Sequence, residues 1–518
     1  MKKYLFLILS GLSISTVQSQ EISSGLRYAQ DNVTGTARFR AMSGAFGALG
    51  GDLSSLNVNP AGSAVFVNNQ LTFTLSNFDT QNKSNYFNTN TSDKNSSFDI
   101  NQAGAVFTFN NHNPNNKWTK IALAINYENA NNFDNAVYSE GTTPNNPNNS
   151  TNTLADYFLS YANENLDRNQ FGIPLSVIKN NNYYELNFAD KQAFLGYEGY
   201  LINPVTETDE NREYTSNVPA GGNYTHQNTI TAEGYNGKLS FNAATSYKDQ
   251  LYIGLNLNSH FTDFRQNHYF TERNSNATNN TSRLINTAFE NEIYTYGSGF
   301  SFQLGAIAKL NKEIRVGLSY QSPTWSKLND ELRQYLYSTG YNFGNPPNPN
   351  LSVTDIDSND FIVYRTYKLR TPGKITGSFA YVFNKQGLIS LDYGYKDYGN
   401  IKYSIEADSR NELINSDISN ELKGVSEIRL GGEYKIERLS LRAGYRFEGS
   451  PYKDKKTVGE LNGYSAGLGY NFGGTRADLS YAYAKRNSQE SFFSQGFENG
   501  ANINTINNTV SLSLLFEL

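Results

Sequence analysis

The sequence predicts an all-β fold, a transmembrane antiparallel β-barrel of about fourteen strands with an N-terminal plug (hatch) inside the lumen. Three observations carry that reading. Apolar and polar residues alternate with period two through most of the chain, giving strands with one apolar and one wet face. Aromatic residues are abundant, 37 Tyr and 32 Phe against 2 Met, as two interfacial girdles require. Nowhere inside the chain is there a run of roughly 18 apolar residues that would cross a bilayer as a helix.

Residues 1–19 read as a signal peptide: Lys2 and Lys3 give a charged start, Tyr4 to Ile14 an apolar stretch, and Val17, Gln18 and Ser19 a small-residue cleavage site. The chain has no cysteine, which excludes a disulfide framework, a thiolate metal site and a lipid anchor on Cys. A formal charge of -5 gives no reason to expect nucleic acid as a partner.

Residues 20–68 precede the first alternating run. They are rich in small residues from Ala41 to Gly51 and again at Asn59, Pro60, Ala61 and Gly62, and read as a compact plug, with Pro60 fixing the local backbone. An ordinary tight turn is the competing reading of Asn59 to Gly62. The spacing Gly44, Gly47, Gly50 superficially resembles a phosphate loop, but no strand precedes it and no Lys-Ser/Thr follows. Close packing inside a barrel accounts for it better.

The barrel is assigned to 69–518. Its strands are expected near 70–78, 98–110, 119–128, 231–247, 250–270, 285–310, 313–322, 360–383, 387–404, 423–436, 438–448, 460–472, 475–485 and 504–518. Short turns at Lys248 to Gln250, Asn311-Lys312, Asn384 to Gln386, Glu437-Arg438 and Gly473-Gly474 alternate with longer polar loops. That places every short turn on the periplasmic side and every long loop outside. The longest insertion, 129–230, includes an Asn/Pro-rich turn at Asn145 to Asn149. It also includes a segment, Leu154 to Leu166, of helical spacing with Leu154, Tyr157, Phe158 and Tyr161 on one face. Together with Phe46 and Leu49 of the plug, these four are the candidate apolar ligand pocket; local core formation is the alternative.

If Ile436 pairs with Leu439 across the tight turn, Glu433 faces Arg442, and Arg429 lies beside Arg446 and Glu427. Such a lumen charge ladder of Glu427, Arg429, Glu433, Arg442 and Arg446 braces a wet wall, and guidance of a carboxylate is the second reading. His112, His226, His260 and His268 converge on no triad or metal set with the acids near them, so neither hydrolysis nor a metal or other cofactor is expected. The last strand, Val510 to Leu518, keeps Phe516 and Leu518 on the apolar parity, as a strand read by outer-membrane assembly machinery does.

Three stretches carry a family resemblance: Arg38 to Gly62, Ser319 to Pro323, and Leu441 to Pro451. The chain resembles the FadL/OmpP1/TodX family of outer-membrane transporters for long-chain fatty acids and other hydrophobic compounds. The resemblance implies a fourteen-stranded barrel in the bacterial outer membrane, amid lipid and lipopolysaccharide. It implies passive uptake, in which a hydrophobic small molecule is captured by apolar outer loops, reaches a site above the plug and leaves through an opening in the wall. In the family that opening depends on a kinked early strand, yet no Gly or Pro lies between Pro114 and Gly141. Basic residues that hold a ligand carboxylate elsewhere in the family have no match by eye. An adhesin or structural barrel without transport explains the Asn-rich loops equally well but not the plug.

Overall fold

The computed structural model describes residues 19–518 except 114, 145–151, 166–169, 219–222, 276–283, 344–347, 359–360, 384–385 and 407–410. Most of the expected signal peptide, the Asn145 to Asn149 turn, Leu166 and most of the Asn384 to Gln386 turn lie outside the described residues. The wall is one closed antiparallel sheet of fourteen strands. The first four are β1 (Gln70–Tyr86), β2 (Thr89–Asn110), β3 (Trp118–Asn132, continuing as Asn135–Thr142) and β4 (Tyr224–Tyr247). Next come β5 (Leu251–Asn274), β6 (Leu284–Lys309) and β7 (Ile314–Gln321 and Thr324–Gly340). β8 runs in pieces from Ser352–Asp357 to Lys374–Phe383, and β9 is Gly387–Asp397 with Lys402–Ile405. β10 (Gly424–Ile436), β11 (Leu439–Glu448), β12 (Val458–Asn471), β13 (Thr475–Glu490) and β14 (Ala501–Glu517) complete it. The sheet closes where β1 pairs β14, from Gln70↔Glu517 to Asn85↔Asn502, so no strand edge is left at that junction.

Alternation produces the two faces. Along β14, Val510, Leu512, Leu514 and Phe516 point outward while Ser511, Ser513 and Leu515 are buried within. Tyr434, Tyr470, Phe472, Tyr381 and Phe383 are exposed near the short turns, and Tyr393, Tyr395, Tyr464 and Tyr481 nearer the loops, a girdle at each interface. Ser, Thr and Asn fill the inner parity and bond across strands, as in Thr74 Oγ1 with Ser513 Oγ at 2.7 Å and Ser76 Oγ with Ser511 Oγ at 2.6 Å.

The structure corrects the expected strand ends. Residues 79–97 are not a loop: β1 and β2 run on together to a two-residue turn at Phe87 and Asn88, both at positive φ (42° and 64°), the conformation of a tight hairpin turn. One short turn therefore lies on the loop side. The extension stands above the hydrocarbon with both faces polar, so no apolar alternation marks it in the sequence. Likewise β3 continues to Thr142 and β4 begins at Tyr224, which shortens the insertion. Its described part contains α1 (Leu154–Asn163), α2 (Leu175–Asn180) and α3 (Phe188–Glu198).

A charged residue at the middle of the lipid-facing band costs about 2–4 kcal/mol, falling to about 0–1 kcal/mol near the interface. Leu512→Arg is therefore expected to destabilise the barrel by about 2–4 kcal/mol in urea titrations from lipid vesicles, and Asn504→Arg, nearer the loops, by no more than about 1 kcal/mol.

Candidate functional site

The N-terminal segment lies inside the lumen and is built for a seat with no gaps. Pro60 opens a short 3₁₀ helix (Pro60–Val65), where its missing N–H is no loss. Asn59 caps that helix, its Oδ1 accepting from the Ala61 N–H at 3.1 Å. Its Nδ2 donates to Gly47 O at 2.7 Å within the segment and to Ala306 O at 3.0 Å in β6. Asn242 of β4 donates to Pro60 O at 2.9 Å. The wall beneath is flattened by Gly254 and Gly305, direct partners on β5 and β6. A Cβ on Gly254 would stand 2.4 Å from Pro60 O, and one on Gly305 would collide with the Asn59 side chain. Gly62 in turn packs on Gly50, and Ala61 is fully buried.

Charge fixes the opposite side of the same segment. The register pairs Ile436 with Leu439, Glu433 with Arg442 and Arg429 with Arg446, as the alternation predicts. Glu433 accepts from Arg442 Nε at 2.7 Å and from Arg38 Nε at 2.8 Å and Nη2 at 3.2 Å. Arg442 also donates to Asp478 at 2.7 Å. Glu427 accepts from Arg429 at 2.7 Å and Arg446 at 2.8 Å, and Arg446 reaches Glu448 at 2.7 Å and Asp31 O at 2.7 Å. Lys396 and Lys374 hold the Asp31 carboxylate at 2.8 and 3.1 Å. Burial alone would raise Asp31, but these two lysines overcome it and keep the carboxyl well below its usual range. The ladder thus clamps the N-terminal segment through Arg38 and Asp31. Neither was foreseen, because their partners are about 350–400 residues away in the chain.

The six candidate pocket residues are all buried but fall into two clusters. Phe46 and Leu49 pack with Phe39, Met42, Val58 and Ala380. Leu154, Tyr157, Phe158 and Tyr161 belong to a separate apolar mass at the loop end. Distance along the lumen keeps them apart: the first pair sits among lower wall strands, and the second group forms an aromatic cap at the loop end. The larger cluster gathers rings that sequence spacing did not single out, with Phe158 5.2 Å from Phe289 and Tyr157 4.9 Å from Phe493. Phe492, Phe493 and Phe497 come from a polar loop, where three rings in six residues are the overlooked signal. Gly496 lets that loop touch α1, since a Cβ there would meet Tyr157 N at 2.3 Å.

Between cap and plug lie an apolar slot and a polar cavity. The slot, lined by Leu328, Tyr367, Leu369, Ile401 and Tyr403, is filled by Ile22, Leu26 and Ala29 of the N-terminal helix Ser19–Ala29. Ala29 and Leu328 also border the cavity, about 120 Å³, whose other lining residues include His260, Gln303, Lys238, Lys396 and Arg429 and the acids Asp31, Glu128, Asp392 and Glu427. Lys238 makes no ion pair among the described residues and is not fully buried.

The wall is interrupted beside this cavity. Backbone pairing of β2 with β3 runs only from Asn110↔Lys120 to Gln102↔Glu128. Beyond it, side chains alone span the seam: Asn129 donates to Asp99 at 2.6 Å and Asn132 to Ser97 Oγ at 3.1 Å. β3 turns inward there, so that Asn82 of β1 donates to Asn135 at 2.6 Å and Ser84 meets Ser139 at 2.7 Å. The break falls at Phe133 and Asp134, opposite Gly234 at φ +114°, where a Cβ would lie 2.2 Å from Asp263 O. The glycine opposite the break is on β4, and β3 shows neither Gly nor Pro from Trp118 to Glu140. Asn32 and Gly35 of the N-terminal segment bond to Asn131 and Asn101 at the seam, at 2.7 and 2.5 Å.

Two predictions follow from these contacts. Arg38→Met leaves Glu433 its Arg442 bond and a longer ion pair with Lys435 at 3.9 Å, and should loosen the segment without unfolding the wall. Larger single-channel conductance in planar bilayers, with unchanged barrel unfolding, is the expected result. In α1, burial pushes the Asp156 carboxyl up to about 7, partly offset by its bonds from Thr153. A raised folded pKa makes this contribution to stability full below the ordinary carboxylate value and lost as pH rises through about 7. Protection of the α1 amides, corrected for the intrinsic pH dependence of exchange, should accordingly fall from pH 5 to pH 8, and Asp156→Asn should remove most of that fall.

No curated protein matches the sequence. Among solved structures, a Pseudomonas aeruginosa FadL homologue is similar at 10% identity and TM-score 0.51, covering 94% of this chain and 99% of that one. The P. putida toluene transporter TodX is similar at 13% identity and TM-score 0.51, with the same coverage. At such identity these likenesses speak to the fold. Sequence evidence comes from the family model for outer membrane protein transport protein (OMPP1/FadL/TodX), which matches residues 202–511, more than half of the chain. A closed fourteen-stranded barrel, a segment seated in its lumen and that match agree: the chain belongs to the OmpP1/FadL/TodX family of passive outer-membrane transporters of hydrophobic compounds.

Proposed function

We propose that this chain carries long-chain fatty acids, or hydrophobic molecules with one polar end, through a conduit gated by its N-terminal plug, residues 20–68. The observation that carries the reading is the apolar slot opening directly onto a cavity lined by Lys238, which makes no ion pair among the described residues. An acyl chain suits the slot at roughly 0.8 kcal/mol per buried CH₂, and a carboxylate suits Lys238. In this reading the aromatic cap of Tyr157, Phe158 and Tyr161 takes the ligand from outside. The helix Ser19–Ala29 yields the slot, and Asn59 and Pro60 are the seat about which the plug shifts. Residues 1–19 serve as the export signal.

The seam between β2 and β3 supports a sideways exit. It lies beside the cavity, is closed by side chains rather than backbone bonds, and is touched by Asn32 and Gly35 of the plug. A ligand leaving there avoids re-entering water, and its own transfer into hydrocarbon drives the step.

Uptake of a radiolabelled long-chain fatty acid by cells expressing the wild type should exceed that of empty-vector cells. It should drop in an Asn59→Ala, Pro60→Ala variant at equal surface expression. Lys238→Gln should weaken fatty-acid uptake about tenfold, the worth of one charged hydrogen bond, while leaving uptake of an uncharged aromatic hydrocarbon unchanged. Equal loss of both substrates would remove the carboxylate from the reading, and no uptake of either by a folded barrel would remove transport of this class.

A further inference from the structure

The outer rim of the wall carries a groove that the conduit does not use. It is lined by Lys83 of β1, Asn90 and Ser92 of β2, Lys455 and Lys456 of the loop before β12, and Asn487 of β13, with further amides and hydroxyls and no carboxylate. Lys83, Lys455 and Lys456 are exposed, and among the described residues none is paired with an acid. One row lower, by contrast, Lys94 is held by Asp79 at 2.8 Å.

Register places the groove on the outside. Lys83 shares parity with the lipid-facing Leu71 and Phe73, and pairs with Asn504, which pairs with Asn487. Its height follows from β14. Tyr481, in the outer aromatic row, donates to Asn508 at 2.7 Å, and Asn504 is four residues further on, about 13 Å along the strand. The groove therefore lies just above the girdle, level with the headgroups of the outer leaflet.

The loop is set before anything binds. Asp454, the nearest acid in that loop, is consumed by it: its carboxylate accepts from Lys456 N at 2.9 Å and Thr457 Oγ1 at 2.7 Å. Gln489 N of β13 donates to Lys456 O at 3.0 Å, and Lys455 sits at φ +61°, a conformation that non-glycine residues adopt only where their surroundings impose it. Two to three strand spacings of about 4.8 Å separate Lys83 from the loop lysines, so roughly 10–15 Å. That is the reach of a disaccharide phosphorylated at both ends.

We infer that this groove binds the phosphorylated disaccharide headgroup of lipopolysaccharide, the lysines meeting phosphates and the amides and hydroxyls meeting sugar. Exposed lysines at a membrane surface contribute about a fivefold preference each for anionic lipid, and a rigid loop keeps them aimed.

The test uses the full-length protein purified in a zwitterionic detergent and titrated with lipid A or with dephosphorylated lipid A, bound lipid being counted by native mass spectrometry. Heat-modifiable migration on a gel checks that each barrel is folded. The wild type should bind lipid A about 100-fold more tightly than the Lys83→Gln, Lys455→Gln, Lys456→Gln variant, and the dephosphorylated lipid should bind both proteins equally weakly. If the triple variant does not fold, Lys83→Gln and Lys456→Gln taken singly should each cost about fivefold. Equal binding of lipid A by wild type and folded variants overturns the inference, as does equal binding of the two lipids by the wild type. Competition by inorganic phosphate at matched phosphate concentration overturns it too, since it reveals an ion site without sugar recognition.

Discussion

Hydrocarbon offers no partner to a backbone N–H or C=O, and the architecture follows from that constraint. A sheet meets it only by closing on itself, here through β1 against β14. Closure fixes the parity of every strand, and parity sends Leu512 to lipid and Ser511 to the lumen. The lumen then holds many polar groups cut off from bulk water, which must satisfy one another. Serine and threonine ladders do so among wall strands, and the N-terminal segment does so for the rest, through Asn59 on one side and Arg38 on the other.

Where the constraint relaxes, the wall changes character. Beyond Gln102 and Glu128, β2 and β3 part, and Asn, Asp and Ser side chains take over from the backbone. Side-chain bonds of this kind separate without unravelling a ladder on either flank, because β2 stays paired to β1 and β3 to β4. The seam is thus a local weakness with firm borders. Irregular pairing at Asn101 of β2 and Ala130 of β3 borders it, and further along Gly234 of the neighbouring strand faces the gap in β3 in a backbone conformation that a side chain would not fit.

Much of this was legible in the residues. Alternation located all fourteen strands because one face of each meets lipid, and it set the β10–β11 register down to Glu433 opposite Arg442. It failed at residues 79–97, where the inner face packs through Asn82 and Ser84 on the inward-turned part of β3, the outer face is polar, and no apolar period exists to read. The site was less legible. Helical spacing grouped Leu154, Tyr157, Phe158 and Tyr161 correctly, but nothing local says that Phe493 meets them or that Phe46 and Leu49 do not. The seam was invisible for a simpler reason: the irregularities at Asn101 and Ala130 that border it carry no Gly or Pro, and the glycine facing the gap belongs to a different strand.

The clamp on the N-terminal segment has a consequence for how the molecule comes into being. Arg38 finds Glu433 across 395 positions of chain, and Ser43 finds Ser465 across 422. Those partners sit on β10 and β12, made long after the segment that needs them. Contacts so distant in sequence are slow to form, and the tight fit over Gly254 and Gly305 leaves little room for late insertion past a finished wall. The segment's buried arginine therefore has no carboxylate partner until β10 is in place, and its seat is whole only once β12 has joined the wall. The contents of the barrel are held by its youngest strands.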